Sequence, residues 1–231
     1  MPRRPSLSAF RAALFDVDGT LVDSLAAIVL GLGDTFETFG GRRPGDSEIR
    51  AMIGLPLTKQ MGRYGASDDV VAEMIPHAVE RMEHHFHMET LFEPAVECLH
   101  VCRRNGIKTA LVTSKNTQEL AAFMKRFTGG SAVDVVVCSS DVPHPKPAPD
   151  SALLACERLG VSPSECVFIG DSVFDLRCGR AAGMASVAVS YGAGNREALL
   201  EESPDLLFDS PEDLLAWAQE AFLLSSCPEK S

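Results

Sequence analysis

The chain has 231 residues, enough for one large domain or for a domain with a smaller one inserted into it. Hydrophobic residues make up 45% and charged residues 23%, a composition that supports a buried core and excludes wholesale disorder. The formal net charge of −11 argues against nucleic acid or an anionic membrane as partner; it leaves an anionic small molecule open, because a metal and a few cations can invert the field locally. The basic start, Met1-Pro2-Arg3-Arg4-Pro5-Ser6, is followed by no long apolar run, so no signal peptide is expected, and no stretch is apolar enough to span a bilayer. Ala12–Phe15 is a short apolar run ending in Asp16-Val17-Asp18-Gly19-Thr20, the pattern of a buried strand whose polar residues emerge at its C-terminal end.

From about 24 to 87 the pattern is helical throughout, with breaks near 40–45, at Gly54-Leu55-Pro56 and near 65–68. This all-α insert resembles a small four-helix unit, and Glu93-Pro94 marks the return to the main domain. Strand-like runs then recur at Lys108–Val112, 133–138 and 166–169, ahead of Thr113-Ser114, Ser139-Ser140 and Gly170-Asp171. Shorter ones follow at 186–189 and Leu206–Phe208. Helices are expected at 95–105 before Gly106, at 117–126 behind an Asn116 cap, at Asp150–Leu159 before Gly160, and at 175–182 before Gly183. Strand and helix alternating through short connectors predict a parallel sheet covered on both faces. The expected division is 1–22 with 91–231 as the α/β core and 23–90 as the helical insert.

Ligands of such sheets bind beyond the carboxyl ends of the strands, where every polar cluster above falls. Asp16 and Asp18 stand two apart, so alternation would point them to one side, although Gly19 permits a curl that makes them inequivalent. Two close carboxylates repel unless a cation or a shared proton intervenes; taken alone, the pair reads equally well as a solvated turn. Thr113 offers a hydroxyl and neighbouring backbone N–H groups suited to a phosphate oxygen. Lys146 sits in His144-Pro145-Lys146-Pro147-Ala148-Pro149, a proline-stiffened segment that holds a cation at small entropic cost. Gly170-Asp171-Ser172-Val173-Phe174-Asp175 adds two more carboxylates. Four acids, a hydroxyl and a lysine at the strand ends make a site for a hard cation and a phosphate, with oxygen ligands fit for Mg²⁺.

Asp16-Val17-Asp18-Gly19-Thr20, Leu111-Val112-Thr113-Ser114, Lys146-Pro147 and Gly170-Asp171-Ser172-Val173-Phe174-Asp175 resemble, in order, the four motifs of haloacid dehalogenase-like hydrolases. The likeness runs from about residue 10 to 218, and the insert looks like the family's small C1-type cap. Gly54-Leu55-Pro56-Leu57 and Tyr191-Gly192 resemble the phosphoglycolate phosphatase branch. The resemblance implies an α/β fold, a Rossmann-like parallel sheet core with helices on both faces and an inserted all-α four-helix cap. It implies an Mg²⁺-dependent phosphatase acting on a small phosphate monoester. Asp16 would attack phosphorus and form an aspartyl phosphate, and Asp18 would protonate the leaving oxygen and then activate water. Mg²⁺ would be held by the Asp16 carboxylate, the Asp18 carbonyl and the Asp171 carboxylate, with Asp175 orienting Lys146 or a water. Thr113, the Ser114 amide, Gly19 and Lys146 would take the phosphate oxygens, and Thr20 and Ser172 would support the loops. Glu93-Pro94-Ala95 departs from the Pro-Gly pair common in the branch, which would stiffen the return hinge.

Asp18 favours phosphoryl transfer over dehalogenation, whose enzymes usually lack that acid. Lys59, the insert's one lysine, lies in a context unlike the Schiff-base lysine of phosphonate-cleaving relatives. A hexose-phosphate mutase would ordinarily carry an arginine where Leu57 stands. Pyrophosphate, sugar phosphates and phosphorylated intermediates of dedicated biosynthetic pathways are alternative substrates, and a non-catalytic phosphate-binding module is the non-enzymatic alternative. Arg50, Lys59, Gln60 and Arg63 are the insert's candidates for contacting substrate, each weighed against a solvent-facing reading. His84, His85 and His87 read as polar surface rather than a metal cluster, and Gly31-Leu32-Gly33 lacks the third glycine of a dinucleotide fingerprint. Phe36, Phe39 and Trp217 read as core. The seven cysteines, at 98, 102, 138, 156, 166, 178 and 227, form no C-x-x-C pair and are expected reduced and mostly buried in a cytoplasmic protein. Hinges are expected near 22–24 and 88–94; a monomer and a homodimer fit equally.

Overall fold

The structure, a computed structural model, describes residues 10–40, 42–63 and 67–225. Cys227, the basic N-terminal residues, Gly65 and the tail from 226 lie outside them. In chain order the elements are β1 (Ala12–Phe15), β2 (Val22–Asp23), α1 (Leu25–Gly40), α2 (Asp46–Arg50), α3 (Leu57–Gly62), α4 (Asp68–His84), β3 (Thr90–Leu91), α5 (Glu93–Arg104) and β4 (Lys108–Val112). They continue with α6 (Thr117–Met124), β5 (Val135–Val137), α7 (Asp150–Leu159), β6 (Cys166–Gly170), α8 (Val173–Ala181), β7 (Ala185–Val189), α9 (Arg196–Glu201), β8 (Leu206–Phe208) and α10 (Pro211–Ser225).

Six strands form one parallel sheet in the order β5-β4-β1-β6-β7-β8. Its central strands are buried on both sides, as their unbroken apolar runs require. Alternation divides them between two cores. Ala13 and Phe15 of β1, Leu111 of β4, and Val167 and Ile169 of β6 pack with α5, α6 and α10. Ala12, Leu14, Ala110, Val112, Cys166 and Phe168 pack with α7 and α8 on the other face. The expected Rossmann-like arrangement, with helices on both faces, is what the chain adopts.

The helices between β2 and β3 carry an apolar cluster of their own, with Leu32 and Phe36 from α1, Ile49 from α2, Leu57 and Met61 from α3, and Met74, Ala78 and Met82 from α4. Phe39 packs against this cluster and Trp217 against the α5 face of the sheet. The insert is joined to the sheet domain by an antiparallel ribbon in which Val22 pairs with Leu91 and Asp23 with Thr90. That ribbon occupies both positions expected to serve as hinges. The six described cysteines are buried and free. His84 and His87 are exposed, whereas His85 turns toward Asp34, with Nε2 3.6 Å from its carboxylate. Helices α9 and α10 were not among the expected elements. Asn195 caps α9 by accepting from the Ala198 amide, and α10 contributes Leu214, Ala218 and Phe222 to the α5-side core.

Candidate active site

Register decides which side chains meet. Phe15 pairs with Leu111 on one side and with Ile169 on the other, so the residues after β1, β4 and β6 leave the sheet at one edge. The ladder runs one residue further: the Asp16 amide donates to the Ile169 carbonyl at 2.9 Å and the Thr113 amide to the Val137 carbonyl at 3.0 Å. Asp16 and Thr113 therefore sit on rigid backbone at the middle of the edge. Beyond Asp16 the chain curls back, with the Gly19 amide donating to the Val22 carbonyl at 2.7 Å. The curl needs φ of +75° at Gly19, where a Cβ would also run into the Asp171 carboxylate.

The curl separates the two acids of the first motif. The Asp16 carboxylate joins those of Asp171 and Asp175, all buried, with one oxygen from each lying within 4.8 Å of the others. Lys146 reaches this cluster from its proline-rich loop. Its Nζ donates to Asp175 Oδ1 at 2.6 Å, to Asp16 Oδ1 at 2.8 Å and to the Val112 carbonyl at 3.1 Å, with only 1% of the side chain exposed. The other oxygen of Asp175 is taken by Ser172, through its amide at 3.0 Å and its hydroxyl at 2.5 Å, in a capping box that starts α8. Ser172 thus contacts Asp175 rather than Asp171. Asp171 Oδ2 instead accepts from the Ala193 amide at 2.6 Å, and Gly192 and Gly194 on either side leave no room for a Cβ beside Asp171.

Electrostatics follow from this crowding. Burial, then the charge of Asp175, raise the Asp16 carboxyl to about 7 against the pull of Lys146. Burial and the charges of Asp175 and Asp16 push Asp171 well above the usual carboxylate range. Burial works against the Lys146 ammonium, but Asp16 and Asp175 outweigh it and hold the lysine charged. One lysine neutralises only part of three buried acids. A hard divalent cation between Asp16 and Asp171 would relieve the remainder, and an all-oxygen donor set suits Mg²⁺, so the residues present fit that metal.

Asp18 faces elsewhere. Its Oδ1 accepts from the Ser24 hydroxyl at 2.7 Å, and Lys115 Nζ lies 2.9 Å from Oδ1 and 2.8 Å from Oδ2. Burial would raise the Asp18 carboxyl, but the charge and hydrogen bonds of Lys115, with the Ser24 bond, hold it low. Sequence reasoning passed over Lys115, although it directly follows Thr113-Ser114. Ser24, Ala193 and the Gly54 carbonyl were missed too, for they act through short polar contacts that no motif spacing announces. Thr113 is buried and its hydroxyl accepts from the Lys115 amide at 3.2 Å. Ser114 donates its hydroxyl to the Gly54 carbonyl at 2.6 Å, tying the strand-end loop to the insert. Thr20 is fully buried and its carbonyl accepts from the Tyr191 hydroxyl at 3.0 Å.

Between the sheet edge and the insert lies a narrow cleft. Asp16, Asp18, Ser114, Lys115 and Glu119 form its floor, and Ile28, Ile53, Leu55, Leu57, Gln60 and Met82 its roof. Of the four insert candidates Gln60 lines it; Arg50, Lys59 and Arg63 are exposed and lie outside its lining. Among the described residues no helix is long and apolar enough to cross a membrane.

Residues 13–189 match the family described as Haloacid dehalogenase-like hydrolase. The chain is 33% identical over 226 residues to a probable phosphatase IndB of Dickeya dadantii, covering 93% of this chain and 96% of that protein. It is 29% identical to the phosphoglycolate phosphatase of Escherichia coli O157:H7, covering 89% of this chain and 91% of the relative. Its fold is similar to the crystal structure of CbbY from Rhodobacter sphaeroides in complex with phosphate, with a TM-score of 0.79 at 23% identity, covering 90% of this chain and 99% of that one.

Proposed function

Because this chain belongs to the haloacid dehalogenase-like hydrolase family and is a phosphoric monoester hydrolase, we propose that it hydrolyses a small phosphate monoester with Mg²⁺ through an aspartyl phosphate on Asp16. The observation that carries this reading is the arrangement of Asp16. It is buried at the central strand end, Lys146 holds its Oδ1, and Oδ2 receives no hydrogen bond from the described residues. A carboxylate fixed by one oxygen presents the other as a nucleophile.

Asp16 attacks phosphorus, the bond from phosphorus to the leaving oxygen breaks, and Asp18 gives that oxygen a proton. Water then attacks the phosphorus of the aspartyl phosphate, Asp18 takes its proton back, and the bond to Asp16 breaks, so ester and water become alcohol and phosphate. Lys115 favours the carboxylate of Asp18 over the protonated form that enters the first half, and so favours the second half, in which that carboxylate takes the proton of water. Thr113, the Ser114 amide and Lys146 neutralise phosphate oxygens. Asp16, the Asp18 carbonyl and Asp171 would hold Mg²⁺, which when bound neutralises charge on the phosphoryl group. Asp175 positions Lys146 rather than holding the metal, since its two oxygens are committed to Lys146 and Ser172. Residues 23–90 act as a cap over this edge, moving about the β2–β3 ribbon to admit substrate and release product.

The test is phosphate release from a panel of esters with Mg²⁺, beside Asp16→Asn and beside EDTA. Turnover abolished by both, together with a phosphoryl adduct on acid-quenched wild type that Asp16→Asn lacks, supports the reading. Turnover that survives Asp16→Asn overturns it.

A further inference from the structure

The roof of the cleft carries one polar side chain and no charge. Ile28, Ile53, Leu55, Leu57 and Met82 supply apolar surface, and Gln60 is the exception. Gln60 is 5% exposed, and its Nε2 donates to the Leu55 carbonyl at 2.6 Å, a bond that fixes which end of the amide is which. Its Oε1 is buried and has no hydrogen-bond partner among the described residues. An acceptor left unpaired in a buried position is costly, and because Gln60 lines the cleft, a donor on the ligand is what would satisfy it.

The floor argues in the same direction. Lys115 is the cation of the cleft on the side of Asp18, and both Asp18 oxygens hold it. Glu119 lines the same cleft. A second negative charge on the substrate would therefore meet the carboxylates of Asp18 and Glu119 around one ammonium already paired, while the insert's cations stay outside the lining. An apolar group meets a wall of its own kind.

We infer that the cleft selects a phosphate monoester whose alcohol portion bears no second negative charge, presents an apolar body to the roof, and donates a hydrogen bond to Gln60 Oε1. This rests on the phosphatase reading above and names its substrate class. It places phosphoglycolate, which carries a carboxylate, among the poor substrates of this chain.

The experiment compares kcat/KM for benzyl phosphate, 3-aminobenzyl phosphate and phosphoglycolate, three alkyl esters that differ in the group beyond the reacting oxygen. In wild type, both benzyl esters are expected to exceed phosphoglycolate at least tenfold, and the amino ester to exceed the plain one several-fold. In Gln60→Leu, the ratio of amino to plain ester should fall to about one; the ratio is internal to each protein and the wild-type ranking needs no variant. Phosphoglycolate equal to or above the benzyl esters overturns the inference while leaving the phosphatase reading intact. So does an amino-to-plain ratio that Gln60→Leu leaves unchanged. No release from any of the three, nor from the wider panel, overturns both.

Discussion

Lys115 Nζ lies within 2.9 Å of both carboxylate oxygens of Asp18, across 97 positions of chain. The pair sits at the floor of the cleft, with the Lys115 side chain 12% and that of Asp18 19% exposed, so the contact is shielded from bulk solvent without being sealed. It links the loop after β4 to the acid proposed to move the proton.

Lys115→Met should therefore slow hydrolysis of the aspartyl phosphate and lower kcat by about ten- to a hundredfold, at or below the lower end of what a positioned general acid–base contributes. Lys115→Arg should restore part of it. Steady-state kinetics on variants whose thermal midpoints match wild type would check this; undiminished turnover in Lys115→Met would remove Lys115 from the mechanism.

Lys146 stands between two buried acids, so Lys146→Met strands Asp16 and Asp175 against each other. Removing one partner of a buried ionic group costs about 3–5 kcal/mol. The variant should lose that much stability in denaturant titration at neutral pH and fall at least a thousandfold in turnover. Adding Asp175→Asn should return part of the stability but not the activity.

Asp171 is placed by the Ala193 amide and by glycines that leave it room. Ala at position 19 would displace the Asp171 carboxylate and would hold an unfavourable φ. Mg²⁺ is expected to raise the thermal midpoint of wild type, and Gly19→Ala and Asp171→Asn should each abolish that rise. A midpoint that still climbs with Mg²⁺ in both variants would place the metal elsewhere.

Glu119 gives a pH signature away from the cluster of Asp16, Asp171 and Asp175. Burial, opposed by Lys115, raises its carboxyl from 4.5 to about 7. A carboxyl with the higher value in the folded state binds its proton more tightly when folded, so its contribution to stability falls as pH rises from about 4.5 to 7. Glu119→Gln keeps the cap contact to the Asn116 amide, 2.8 Å in wild type, and removes the charge. The stability of Glu119→Gln relative to wild type should increase between pH 5 and pH 8, by on the order of 1–3 kcal/mol. Denaturant titrations at both pH values measure it, and a difference independent of pH would refute the assignment.

Much of the core could be read from residue order. Unbroken apolar runs announce buried parallel strands, and α7 spans Asp150–Leu159 as expected because its stop, Gly160, is local. Elsewhere bounds moved by a residue or two: α6 ends at Met124 instead of 126, and β5 is confined to Val135–Val137. The ribbon of β2 and β3 escaped notice as strands because two residues on each side carry no alternation.

Asp16, Thr113 and Asp171 fall at one edge because parallel strands discharge their C-terminal residues together, whatever the details of packing, whereas Lys146 arrives from the proline-rich loop and Asp175 from the first turn of α8. These residues were identifiable from sequence; their partners were not. That Lys115 holds Asp18, that Ser114 bonds Gly54 across 60 positions, and that Ala193 holds Asp171 across 22 depend on where loops land once the sheet and insert have packed. The same is true of Gln60, which entered the cleft while Arg50, Lys59 and Arg63 stayed in solvent. Strand-end chemistry follows from backbone periodicity, which is written locally. Cleft chemistry follows from how the insert's apolar cluster packs over the sheet edge, and only the three-dimensional packing decides which polar atoms are left facing each other.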